Sequence, residues 1–229
     1  MISLLKSRAR TVHHYQEEEK KESKNEESCI EEKKESKNQE SCISLTVWRK
    51  SLLLSCKGFT VIGSDGSLVY RVDNYTGRPD PIVLMDGSGD PIFTICRRKK
   101  LKVVTDNYWL VYEGEVCKTS IDESSKKPIF SVRKNISIMK TKTNVLAYVY
   151  GGVSEKGYDY MIEGSYGQRS CKILDDSRRV LSEIKKKEAL STGGGGVSFG
   201  LEVFDLVVNP GFDSRFAMAI VLLLDQMFS

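Results

Sequence analysis

The stretch 212–228 reads FDSRFAMAIVLLLDQMF, and the unbroken apolar run from Phe216 to Leu224 inside it decides the fold. Pro210-Gly211 ends whatever precedes it, and Asp213 or Ser214 can cap a helix starting there. Such a helix runs about fifteen residues, or about 22 Å at 1.5 Å per residue. A bilayer core needs about 20 apolar residues. Arg215 and Asp225 bracket the run, so it is too short to span. Every face of the helix is apolar, which argues against lying in a membrane interface. A helix apolar all round is buried inside protein.

What buries it is β-structure. From Leu45 onward, short apolar runs alternate with turn signals: Leu45–Trp48, Ser51–Leu54, Phe59–Ile62, Leu68–Val72, Pro81–Met85 and Pro91–Ile95. Further runs are Tyr108–Tyr112, Ile129–Val132, Val145–Tyr150, Tyr158–Ile162, Ser170–Leu174, Val180–Ile184 and Ser198–Val208. Their spacing is that of a sandwich or barrel, and many alternate with period two. Leu68, Tyr70 and Val72 point one way; Val69, Arg71 and Asp73 point the other. Gly63–Gly66 and Asp86–Asp90 read as hairpin turns. No βαβ rhythm appears. The chain is expected to be all-β, a closed antiparallel barrel of about twelve strands filled by the one C-terminal helix.

The 229-residue chain also carries a segment of different texture at its start. Residues 18–30, EEKKESKNEESCI, are repeated at 31–43 as EEKKESKNQESCI, with the single change Glu26 to Gln39. Rich in Glu, Lys and Ser and poor in apolar residues, such a segment cannot offset the entropy of ordering. Residues 1–44 are therefore expected to be a disordered charged tail, and 45–229 the folded domain. A duplicated spacer is the plain reading of the repeat; a docking or dimerising arm using Cys29 and Cys42 is the functional one. MISLLKSRAR lacks an apolar core of signal-peptide length, and the six cysteines show no CxxC pair. Both point to reduced thiols in a cytoplasmic or nuclear protein, peripheral if it meets the plasma membrane.

The runs LTVWRKSLLLSCKGFTVIGSDGSLVYRVDNY, PIVLMDGSGDPIFTICRRKKL, PIFSVRK, YMIEGSYGQRSCKILD and VVNPGFDSRFAMAIVLLLDQM, in that order, strongly resemble the plant LURP-one-related family. That family is named for a gene upregulated late in response to an oomycete pathogen. The resemblance covers about residues 44–229. It implies a fold like the Tubby C-terminal domain and the phospholipid scramblases, a twelve-stranded barrel around a central hydrophobic helix. It also implies a plant source and a membrane-tethered regulator or defence-linked role. It brings no established biochemical activity, and the duplicated tail departs from its pattern.

Little catalytic chemistry is visible. The two histidines, His13 and His14, fall in the tail, so 45–229 has no imidazole for a Ser-His-Asp or Cys-His arrangement or for a metal. Asp86, Ser88 and Asp90 resemble the opening of a calcium loop, but Pro91 and Arg97 stand where the glycine and final acid belong. Gly193–Gly196 lacks the GxxxxGK[ST] context of a phosphate loop. Cys56, Cys96, Cys117 and Cys171 sit in or beside strands as small packed residues. No enzyme activity, metal or cofactor is expected.

The functional signal is basic. Arg97, Arg98, Lys99, Lys100 and Lys102 crowd one strand end, Lys185, Lys186 and Lys187 another, and Arg133-Lys134 with Lys140 and Lys142 a third. Such clusters can bind anionic phospholipid head groups at about 1 kcal/mol per residue; they can equally serve solubility and protect strand edges. Since Tubby-like domains bind phosphoinositides, the resemblance favours a non-enzymatic lipid-binding module in defence or stress signalling. The alternatives are a protein-interaction scaffold and scramblase-like lipid handling. Nucleic acid is not expected as a partner, for no stacking motif or recognition helix is present.

Overall fold

The computed structural model describes residues 41–54, 56–74, 81–99, 107–116, 127–136, 144–151, 157–187 and 199–228. Among these residues twelve strands precede one helix. They are β1 (Ile43–Trp48), β2 (Lys57–Ile62), β3 (Leu68–Asn74), β4 (Ile82–Asp86), β5 (Pro91–Lys99) and β6 (Asn107–Glu113). Then come β7 (Phe130–Lys134), β8 (Val145–Gly151), β9 (Tyr160–Ser165), β10 (Ser170–Asp175), β11 (Val180–Lys186) and β12 (Val203–Val208). The helix, here α1, spans Ser214–Phe228.

Each strand pairs antiparallel with the next, and β12 pairs with β1 from Ile43↔Val208 to Trp48↔Val203, which closes the barrel. Closure removes the sheet edges that would otherwise invite pairing with other chains. Twelve strands enclose a lumen wider than wall side chains alone can fill, and α1 takes that space. Ala217 through Leu224 are buried without exception. They meet an inward layer that includes Leu45 and Val47 of β1, Val61 of β2, Leu84 of β4 and Phe204, Leu206 and Val208 of β12. Burying each large aliphatic side chain of α1 contributes about 2 kcal/mol.

One expected strand is absent. Ser51–Leu54 forms a turn: Ser51 Oγ donates to the Asp73 carboxylate and accepts from the Leu53 amide at 3.0 Å. A serine hydroxyl that bonds backbone two residues on competes with ladder pairing. The run Ser198–Val208 is shorter than expected, with β12 opening at Val203. Two strand glycines are required by close backbone approach. A Cβ on Gly58 would lie 1.9 Å from the Val72 carbonyl oxygen, and Gly164, at φ +117°, would place one 2.1 Å from that of Ser170. The Asp86–Asp90 turn is a hairpin, with Asp86 Oδ1 accepting from the Gly89 and Asp90 amides at 2.8 and 2.9 Å. Gly193–Gly196 lies outside the described residues.

Asp213 caps α1: its Oδ1 accepts from the Arg215 amide at 2.8 Å and its backbone oxygen from Ala217 at 3.0 Å. Burial presses its carboxyl upward, but hydrogen bonds from the Arg215 guanidinium and amide outweigh this and hold it below the ordinary 3.8. A depressed carboxyl stabilises the fold fully above its unfolded value and loses that contribution as pH falls through the lower folded value. Asp213→Asn should therefore be less stable than the parent at pH 7 and pH 5, with the gap narrowing below about pH 4. Urea midpoints at pH 7, 5 and 3 measure it.

Candidate functional site

Strict alternation around the barrel fixes which connections share an end. Odd-numbered strands all finish at one end, where α1 also finishes; even-numbered strands and the start of α1 define the other. The two ends are called the mouth and the base. Contacts of α1 agree with this assignment. Ser214 Oγ meets Tyr70 Oη of β3 near the base at 2.7 Å. At the mouth, the Arg49 guanidinium after β1 lies 2.9 Å from Asp225.

The described members of the basic clusters, Arg97–Lys99, Arg133–Lys134 and Lys185–Lys187, therefore share the mouth, because β5, β7 and β11 are all odd. They do not share a wall, since β5 and β11 stand six strands apart in a ring of twelve. Arg97 is exposed and lies over the Trp109 ring of β6 at 5.5 Å. Arg98 is half-buried on the outer face and bonds Tyr112, whose hydroxyl burial nevertheless pushes above its ordinary range. Lys99 is the last residue of β5, in register with Asn107. Lys100 and Lys102 lie outside the described residues, as do Lys140 and Lys142.

On the opposite wall Lys185 pairs with Glu183, whose carboxyl this contact lowers. Lys187 Nζ reaches Asp205 Oδ1 at 2.7 Å and Thr46 Oγ1 at 3.0 Å. Lys186, between them, is exposed. Arg133 is exposed on the outer face with its guanidinium 5.0 Å from the Tyr150 ring. Lys134 instead turns inward, donating to the Met227 carbonyl at 2.7 Å and lying over Phe228 at 4.2 Å. It supplies from β7 the cation that α1 lacks in its own last turn.

The structure adds cations that the clusters in sequence do not reveal: Arg49, Lys50 and Lys57 at the β1–β2 connection, and Arg169 in the β9–β10 turn. Arg49-Lys50 is only a pair in sequence and Lys57 and Arg169 stand apart from it; strand parity brings them to one end. The described anions toward the mouth, Asp73, Glu183, Glu202, Asp205 and Asp225, are paired in turn by Arg71, Lys185, Arg49, Lys187 and again Arg49. The base has the reverse balance. Asp65, Asp86, Asp90, Glu113, Asp159 and Asp176 lie there against Lys127, Arg178, Arg179 and Arg215. Among the described residues the charge is segregated along the barrel axis.

Among the described residues the buried cysteines are poor nucleophiles. Burial pushes the Cys171 thiol up to about 12, where almost no thiolate forms near neutrality. Cys96 is also buried. Cys117 and Cys29 lie outside the described residues. Among the described residues no helix is long and apolar enough to cross a membrane.

A protein-family model, LURP-one-related, matches residues 43–225. Protein LURP-one-related 17 of Arabidopsis thaliana is 50% identical over 190 residues, which cover 81% of this chain and 83% of that one. Protein LURP-one-related 8 of the same plant is 49% identical, over 80% of this chain and 86% of its own. An X-ray structure of another Arabidopsis thaliana protein superposes with a TM-score of 0.54 at 22% identity, covering 81% of this chain and 90% of that one. That likeness carries the fold. The family match and the identities carry membership: the chain belongs to the LURP-one-related family.

Proposed function

We propose that the barrel is a non-enzymatic, Tubby-like module that tethers to anionic membrane lipid through the cations of its mouth. The observation that carries this reading is the axial segregation of charge, which sets Arg97, Arg98, Lys99 and Lys186 at one end and leaves the other acidic. An axial field of this kind orients the molecule toward an anionic surface before contact. Cations spread around one end suit a membrane surface that presents several anionic head groups. A role in plant defence or stress signalling follows from the family resemblance. Scramblase-like lipid handling would require α1 to leave the barrel, and its burial weighs against that.

The test is flotation of the full chain with phosphatidylcholine vesicles, with and without phosphatidylinositol bisphosphate, at two salt concentrations. Changing Arg97, Arg98, Lys99 and Lys100 to Ala is expected to weaken binding by about a thousandfold at low salt, at about 1 kcal/mol per cation. Wild-type binding should fall as salt rises. Because Arg98 and Arg97 touch Tyr112 and Trp109, Lys186→Glu, exposed and remote from both, serves as the variant that leaves the fold intact. Binding that ignores lipid charge and salt would overturn the reading.

A further inference from the structure

Resting on that lipid-binding reading, we propose that the mouth also inserts apolar side chains into the bilayer. Trp48 and Leu52–Leu54 after β1, with Phe199 and Leu201 before β12, would form the inserting rim, with the barrel axis steep to the membrane. The distribution of exposed large apolar residues carries this. Trp48, Leu52, Leu53 and Leu54 leave one connection exposed, Leu54 by 92%. Phe199 and Leu201 leave the other. Ile136 after β7 and Phe228 at the end of α1 are exposed at the same mouth. Among the described residues of the base, the exposed large apolar side chains Ile43, Ile129 and Tyr158 lie at three different strand starts.

The two connections are neighbours because β1 pairs with β12. The Arg49 amide donates to the Glu202 carbonyl at 2.8 Å, and their side chains are ion-paired, which ties one connection to the other. Their leucines, phenylalanine and tryptophan therefore stand at one side of the mouth. Lys57 of β2 flanks that side in one direction, Lys185 and Lys186 of β11 in the other, and Lys50 lies over the Trp48 ring at 5.4 Å.

Exposed apolar patches mark interaction sites, and the cations select the occupant. Apolar side chains edged by Lys and Arg, with a tryptophan at the boundary, match the layering of a bilayer from hydrocarbon to phosphate. A soluble inositol phosphate would use the cations and leave the leucines in water. A protein partner would have to match several charged connections around an open ring.

Trp48 supplies the test, because Trp109, the other tryptophan, is 2% exposed inside the barrel. The full chain is mixed with phosphatidylcholine vesicles containing phosphatidylserine and phosphatidylinositol bisphosphate, with brominated acyl chains as quencher. Trp48→Phe gives the Trp109 background. The expected result is blue-shifted Trp48 emission, quenched by bromine, together with a salt-resistant fraction of binding. Leu53→Ser with Leu54→Ser should weaken vesicle binding about tenfold or more while leaving the thermal melt unchanged. Salt-sensitive flotation with unquenched Trp48 and normal binding by the leucine variant would overturn insertion and leave the charge-based reading standing. No flotation under any condition would overturn both and pass the apolar rim to a protein partner.

Discussion

Leu223→Asp is expected to yield a chain that does not fold, and Leu223→Ala one that loses about 3 kcal/mol of stability. Leu223 lies at mid-helix with no exposed surface, and the residues from Ala217 to Leu224 around it are equally enclosed. The alanine variant loses the transfer energy of the deleted carbons and leaves a cavity that the closed wall cannot collapse to fill. Each strand of the ring is held by two neighbours, so no segment can move inward alone. The aspartate variant places a carboxylate among apolar partners, where burying an unpaired charge costs several kcal/mol even after relaxation. Domain stabilities are about 5–15 kcal/mol, so that variant has little left. Urea titration followed by circular dichroism reads both. A Leu223→Asp chain with native melting would mean that α1 does not sit in the barrel.

The apolar run was legible because its length and bracketing charges left only one environment for it. Period-two alternation exposed the strands in the same way: Tyr70 and Val72 are buried on β3 while Arg71 between them is not. That the barrel closes was legible from the helix it must enclose, but the pairing of Ile43 with Val208 that closes it was not, because it depends on a register between the two ends of the domain. The false strand at Ser51–Leu54 had a further consequence. Counting it as a strand adds one crossing, and an odd number of strands cannot close an all-antiparallel ring. It also puts the Trp48 end opposite the Lys99 end, which hides the apolar rim beside the cations. What decides it is the bond from Ser51 Oγ to Asp73, a contact between the turn after β1 and strand β3 that no local pattern signals. The side-chain pairing of the mouth was equally invisible. Lys187, one of three adjacent lysines, is held by Asp205 and Thr46, whereas Lys186 beside it is exposed.

Arg169→Ala should cost about 3–4 kcal/mol, close to the loss expected for a deleted core aromatic. Arg169 is buried in the β9–β10 turn, at 4% exposure, with its guanidinium 4.2 Å from the Tyr166 ring and 4.4 Å from that of Phe204. Its Nε donates to the Leu201 carbonyl at 2.8 Å. The Tyr166 hydroxyl donates to Asp225 at 3.1 Å, and burial with that carboxylate pushes its pKa up. One planar cation thus joins the β9–β10 turn, the β11–β12 connection and, through Tyr166, the last turn of α1. Arg169→Lys should recover less than half of the loss, since an ammonium cannot stack on two rings and donate from a fixed fork. Backbone strain is separable from this. Arg169 has φ of 52° and Arg178 has φ of 61°, but Arg178 is exposed and holds only Glu163 across the surface. Arg178→Gly relieves the same left-handed conformation and gives up a surface ion pair that contributes under about 1 kcal/mol. It should leave stability within about 1 kcal/mol of the parent. If Arg169→Ala proved as mild as Arg178→Gly in parallel denaturation curves, the side chain would not be the tie between the connections. If the predicted gap appears, loosening that tie should also weaken vesicle insertion, because Leu201 and Phe199 then lose the anchor that holds their connection beside Trp48.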